Sequence, residues 1–122
     1  MKKIMLLIVT LIGIISWQAC QYEWVEPAKT VVPDVVSYSA DIQPIFDQAC
    51  VGCHSSGGIT PNLTPANSYA DLFANNLIDT VHPDQSILYL KIAVGGSMAK
   101  YAPPGDPDEI ILKWIKEGAK NN

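Results

Sequence analysis

The stretch Cys50-Val51-Gly52-Cys53-His54 decides the fold of this 122-residue chain. Two thiols three positions apart, followed directly by an imidazole, are the arrangement that covalent attachment of haem c requires. Each thiol adds to one vinyl group of the porphyrin, and His54 is then held beneath the ring, where its nitrogen can bind iron as the proximal ligand. The pentapeptide therefore predicts one covalently bound haem c, with Cys50 and Cys53 as thioether residues and His54 as an iron ligand.

Three other uses of the same residues remain open at this point. A tetrahedral zinc site needs four ligands, and only Cys50, Cys53, His54 and the distant His82 are available for it. A thioredoxin-like dithiol needs a preceding strand and a βαβ context, and the sequence shows neither. A structural disulfide between the two cysteines would leave the adjacent histidine unexplained.

The N-terminus predicts export. Two lysines precede an apolar run from Ile4 to Ile15, which has the form of a secretory signal and is shorter than the roughly 20 residues of a membrane span. The junction Ala19-Cys20 resembles the lipobox of bacterial lipoproteins, in which the Cys becomes the lipidated first residue. We therefore predict residues 1–19 as a lipoprotein signal peptide and Cys20 as the lipidation site. Ordinary signal cleavage, with Cys20 left as a free thiol, is the alternative.

The rest of the chain divides into a tether and one domain. Residues 20–36 are rich in Val and Pro, show no sustained helical or strand period, and are expected to extend from the lipid surface. Residues 37–122 are expected to form a domain so small that a bound haem would be needed to stabilise it.

The mature chain is acidic. Without the signal it has six lysines, no arginine and twelve acidic residues, a net charge of −6. This charge argues against nucleic acid and anionic lipid as partners, so membrane contact is expected through the lipid anchor only. It would suit a basic patch on a redox partner, and solubility alone explains it at least as well.

Apolar periodicity predicts helices and no strand. A first helix is expected up to Ala49, with Asp41 as its cap and with apolar side chains recurring at i, i+3, i+4 and i+7. Glycines and prolines then indicate a loop. Shorter helices are expected after Asn67 and over Asp84–Ile92, and a last one begins at Asp106 as cap and ends near Gly118.

This order resembles the small class I cytochromes c of bacteria. The resemblance covers about residues 38–119 and rests on the haem motif, on the opening Asp41-Ile42-Gln43-Pro44-Ile45-Phe46 and on the ending Trp114-Ile115-Lys116-Glu117-Gly118-Ala119. It implies an all-α, class I cytochrome c fold of about four short helices around the haem. It also implies that Phe46 and Trp114 meet where the terminal helices cross, and that attachment of the haem takes place outside the bacterial inner membrane.

Met98 is the predicted sixth iron ligand. It is the only methionine of the mature chain and lies between Gly95-Gly96 and Pro103-Pro104, a flexible approach followed by a stiff exit. His82 is the competing ligand, and Lys91 and Lys100 are more distant alternatives. The choice sets the mechanism, because thioether sulfur stabilises reduced iron and raises the potential, whereas a second histidine lowers it.

Further contacts with the haem are expected from three residues. The resemblance implies that a proline carbonyl after the motif, here that of Pro61, accepts the free N–H of the proximal histidine. Because the chain has no arginine, Tyr89 or Tyr101 is expected to hydrogen-bond a haem propionate, with plain half-buried packing as the alternative.

The predicted function is electron transfer by a periplasmic or surface-exposed, lipid-tethered cytochrome with transient redox protein partners. A six-coordinate iron has no open site for substrate, so enzymatic activity is not expected. Two alternatives stay open: a haem sensor or peroxidase-like enzyme with a displaceable sixth ligand, and an accessory haem module of a larger surface complex.

Overall fold

In the computed structural model the described residues are Lys3 and 31–122. Within residues 31–122 there are four α-helices and no strand: α1 Gln43–Ala49, α2 Ser68–Ala74, α3 Ile87–Ile92 and α4 Pro107–Lys116. The all-α prediction is thus confirmed for this part of the chain. None of the helices described is long and apolar enough to cross a membrane. The predicted signal peptide, Cys20 and the first part of the tether lie outside the described residues.

The first helical segment begins earlier than the sequence predicts. A π-helical turn, Tyr38–Ile42, runs directly into α1, and Pro44 lies in the first turn of α1, where no amide donor is needed. The prediction of Asp41 as the cap is wrong. Ser37 is the N-cap, and its hydroxyl accepts from the Ala40 amide, while the Asp41 carboxylate accepts from the Ser37 amide at 2.8 Å. Each of these two side chains thus accepts from a backbone amide that has no partner within the helix, as in a capping box.

The predicted third helix is divided in two. Pro83–Gln85 form a 3₁₀ turn and α3 begins only at Ile87. Ser86, between them, is buried and extended, with ψ at 130°. Its hydroxyl accepts from the Asp79 amide at 2.8 Å and donates to the Asp79 carbonyl at 3.1 Å. A serine that satisfies another segment's backbone in this way does not adopt helical geometry.

The end of α4 closes the fold. Gly118 has φ of +93°, a left-handed conformation suited to glycine, and the Ala119 amide donates to the Trp114 carbonyl at 2.9 Å. The Trp114 indole N–H then donates to the Lys120 carbonyl, and the Tyr69 hydroxyl to the Ala119 carbonyl, each at 2.9 Å. Residues Trp114–Ala119 therefore form a hydrogen-bonded helix terminus.

The core lies between α4, the first helical segment and α2. Phe46 and Trp114 are each about 1% exposed and belong to one buried cluster. The rings found around Trp114 are those of Tyr38, at 5.2 Å between centroids, and of Tyr69, at 6.4 Å. These two tyrosines pack edge to face with each other at 5.2 Å, a favoured geometry for aromatic pairs.

The start of the domain is fastened to its end. The Val36 amide donates to Glu117 Oε2 at 2.9 Å, and Val36 itself is buried. The Tyr38 amide donates to the Asn122 side chain and the Ser39 amide to the Asn122 carbonyl, both at 2.9 Å. Val36, the last residue of the predicted tether, is therefore fixed to the domain.

Candidate haem-attachment site

The Cys50–His54 pentapeptide forms a helical turn directly after α1. The Cys53 and His54 amides donate to the Cys50 carbonyl at 3.1 and 2.9 Å. Both cysteines are free thiols, Cys50 half-buried and Cys53 exposed. The site thus presents two unpaired thiols and an imidazole on one short, hydrogen-bonded turn, which is the donor set that haem attachment needs.

The pKa of Cys50 bears on the redox-dithiol alternative. Burial raises the pKa of the Cys50 thiol above its usual value. Reactive dithiols need the opposite shift, because the thiolate is the nucleophile. Within residues 31–122 there is also no strand before the motif, so neither requirement of a thioredoxin-like site is met in this part of the chain.

The imidazole of His54 is oriented by two backbone carbonyls. Its Nδ1 lies 3.1 Å from the Ile59 oxygen and 3.2 Å from the Pro61 oxygen. A carbonyl oxygen only accepts, so Nδ1 carries the proton and the lone pair of the neutral ring is on Nε2. A histidine held in this way is prepared to bind a metal through Nε2. The Pro61 carbonyl thus faces the His54 ring, and its role beside a haem stays a prediction.

The loop after the motif is held to it by backbone hydrogen bonds. The Ile59 amide donates to the Cys53 carbonyl at 2.9 Å and the Leu63 amide to the His54 carbonyl at 2.8 Å. The peptide bond between Thr60 and Pro61 is cis. This loop delivers both carbonyls to the His54 ring.

Met98 lies in a turn that is fastened to α3. Its amide donates to the Lys91 carbonyl at 2.8 Å, and its side chain is partly exposed, at 38%. The sequence analysis takes Gly96, two residues before Met98, as part of a flexible segment, but the structure gives it a packing role. A Cβ on Gly96 would lie 2.4 Å from both the Leu90 and the Lys91 carbonyl oxygens, so the chain needs a glycine there to pack closely on α3.

The competing ligands lie on the surface. His82 is exposed, and its Nδ1 is 3.4 Å from the Asp79 carboxylate. Backbone hydrogen bonds from His82 and Val81 lower the pKa of Asp79. Lys91 is exposed, and the Lys100 ammonium lies 4.8 Å from the ring centre of Tyr101, which is itself exposed. Tyr89 is half-buried against the core.

The donor set fits a haem. In residues 31–122 no three His, Cys, Asp or Glu side chains come together as metal ligands, and a haem iron needs no such group, because the porphyrin supplies four nitrogens. Leu90, on the helix to which the Met98 turn is bonded, is an exposed apolar side chain of the kind that can contact a porphyrin.

Two contributors at this site have little or no sequence signal of their own. The Ile59 carbonyl faces His54 as a backbone group, which any residue would supply. Gln43 is buried although it lies beside the apolar stripe of α1, and its amide donates to the Leu63 carbonyl at 3.0 Å. A polar residue inside an apolar helix start is the only hint of this contact.

Comparison of the chain with models of known protein families, with curated proteins and with solved structures gives no match in any of the three.

Proposed function

We propose that the domain is a mono-haem c-type cytochrome of the class I fold that carries electrons. The observation that supports this most directly is the geometry of His54. It follows two free thiols on one turn, and two carbonyls hold its Nδ1–H so that Nε2 is the metal-binding atom.

His54 and Met98 would bind the haem iron, and Cys50 and Cys53 would be the covalent attachment points. The turn with Met98 is fixed to α3 through the Lys91 carbonyl, and Met98 is exposed, at 38%, so its side chain is accessible to a metal. His82 is less suited to this role, because its imidazole lies beside the Asp79 carboxylate on the surface.

The residues of this chain would position the haem and set its potential. A bound haem supplies a one-electron iron couple. The Ile59 and Pro61 carbonyls accept the Nδ1 proton of His54, which raises its basicity as a ligand. Met98 would provide a soft thioether donor, which would favour reduced iron and a higher potential.

We further propose that the protein is an exported lipoprotein, anchored through Cys20 and facing the periplasm or the cell surface. Residues 20–36 would let the domain meet redox protein partners above the membrane. Since the mature chain has a net charge of −6, a basic surface is the expected counterpart on such a partner.

The test is the absorption spectrum of the mature protein, oxidised and reduced, after expression in an exporting bacterium. We expect a covalent c-type haem and, in the oxidised form, the far-red charge-transfer band of iron–thioether ligation. Met98→Ala should lose this band. Val94→Ala is the matched control, because Val94 is an apolar neighbour that is 99% exposed, and it should keep the band.

Each other outcome of this test has a definite meaning. A haem without the band in the unsubstituted protein would refute Met98 ligation and direct attention to His82, or to an open iron site with a sensing or peroxidase-like role. Absence of covalent haem would refute the proposed function as a whole.

A further inference from the structure

A buried chain of hydrogen bonds leads from Tyr38 to the loop that holds His54. The Tyr38 hydroxyl donates to the Ser68 hydroxyl at 2.6 Å, and the Ser68 hydroxyl donates to Gln43 Oε1. Gln43 Nε2 donates to the Leu63 carbonyl at 3.0 Å and to the Asp47 carboxylate at 2.7 Å. Gln43 is 7% exposed and Ser68 is fully buried.

The direction of these bonds follows from the chemistry of the partners. The Leu63 carbonyl and the Asp47 carboxylate only accept, so the NH₂ side of the Gln43 amide must face them. Its oxygen then faces Ser68, whose hydroxyl must donate to it and accept from Tyr38. The amide of Gln43 is therefore fixed in one orientation at both ends.

Leu63 connects this chain to His54. Its carbonyl is held by Gln43, and its own amide donates to the His54 carbonyl at 2.8 Å. Two residues before it, Pro61 faces His54 Nδ1. Gln43 thus holds the end of the short loop whose carbonyls fix the direction of the imidazole.

We propose that Gln43 is a positioning residue for His54 and acts through Leu63. This inference rests on the proposed function only in that His54 is taken as the iron ligand; the contact between Gln43 and the loop exists without it. A purely structural role would mean that loss of Gln43 weakens the whole domain and leaves the loop no looser than the rest.

The chain offers a matched pair of variants. Gln43→Leu removes the donor to the Leu63 carbonyl, whereas Tyr38→Phe removes the donor at the far end of the network and leaves that contact in place. Both leave a buried polar group without its partner, so both should lower global stability. Only the first should free the loop.

The measurement is amide hydrogen exchange of the exported protein, with Leu63 compared with Ile115 in α4 as the reference. In Gln43→Leu we expect exchange at Leu63 to rise about tenfold or more relative to Ile115. In Tyr38→Phe the ratio should stay as in the unsubstituted protein. If Gln43→Leu does not fold, Gln43→Asn replaces it, because the shorter amide does not reach Leu63.

A second readout is specific to His54. In the haem-loaded protein the Nδ1–H proton of His54 should exchange faster with solvent in the Gln43 variant than in Tyr38→Phe. Equal Leu63 ratios in the two variants would overturn the proposal. The exchange at Leu63 does not require iron, so a protein without covalent haem would refute the proposed function while Leu63 still tests the role of Gln43.

Discussion

Gly96→Ala is the substitution whose effect can be worked out most directly from the structure. The added Cβ would lie 2.4 Å from the carbonyl oxygens of Leu90 and Lys91 and 2.6 Å from the Lys91 carbonyl carbon. These are backbone atoms at the end of α3, which cannot move aside as the tip of a flexible side chain can. The turn that carries Met98 must therefore move away from α3.

The magnitude has two parts. Overpacking of a filled core typically costs about 1–3 kcal/mol of folding stability, with a central value of about 2 kcal/mol. Movement of the turn also lengthens the 2.8 Å hydrogen bond between the Met98 amide and the Lys91 carbonyl, which is worth about 1 kcal/mol. The free energy of unfolding should fall by about 2–4 kcal/mol, which a domain of ordinary stability, about 5–15 kcal/mol, survives.

The assay is denaturant unfolding of the exported protein, with Gly52→Ala as the control. Gly52 lies between the two motif cysteines, and a Cβ on it would meet nothing within 4 Å, so this variant should be close to neutral. Gly96→Ala should lower the midpoint at an unchanged slope and weaken the iron–thioether band. Equal midpoints for the two variants would show that the turn is not packed on α3 as described.

Two further outcomes are expected. Glu117→Gln should make stability fall less steeply in acid, because the Val36 amide, and then Lys113, hold the folded pKa of Glu117 below its usual 4.5. The carboxylate therefore stabilises the fold above that pH, and its contribution is lost as pH falls through the lower, folded pKa. The same acid dependence in both proteins, measured by urea unfolding at a series of pH values, would contradict this. A Cys50→Ala, Cys53→Ala double variant should fold poorly without haem, so native-like cooperative melting followed by circular dichroism would count against a stabilising role of the haem.

The helical pattern of the chain could be predicted because each helix has a local signal. Pro44 and Pro107 stand in first turns, Gly118 ends α4, and apolar residues recur at helical spacing. The break in the predicted third helix depends on a contact that lies beyond a single helical turn. Ser86 interrupts the predicted third helix because its hydroxyl bonds to Asp79, seven residues earlier, and no local propensity contains that bond.

In the candidate site, too, the residues with a local sequence signal could be predicted from it, and the contacts set by the fold could not. The thiols and the imidazole are side chains at fixed spacing, so the motif itself names Cys50, Cys53 and His54. The partners of His54 are the backbone carbonyls of Ile59 and Pro61, and only the course of the loop decides which carbonyls reach the ring. The Pro61 contact was expected from a family resemblance, while Ile59 was not expected at all.

Both proposed ligands lie outside the α-helices, and this links binding to folding. Met98 is held to α3 by a backbone hydrogen bond to Lys91. His54 is held by backbone hydrogen bonds to Cys50 and from Leu63, and its ring by two carbonyls of the following loop. Segments held in this way open locally at a lower free energy than the helical core. A bound group that contacts these segments only when they are folded against the domain stabilises that folded state by mass action. Conversely, any change that makes either segment open more easily weakens the binding. Gln43 contacts the loop that holds His54, and Gly96 packs the turn of Met98 on α3, so each acts on the segment of one proposed ligand. Their variants should therefore lower ligation and local protection together, whereas Tyr38→Phe should lower global stability without either effect.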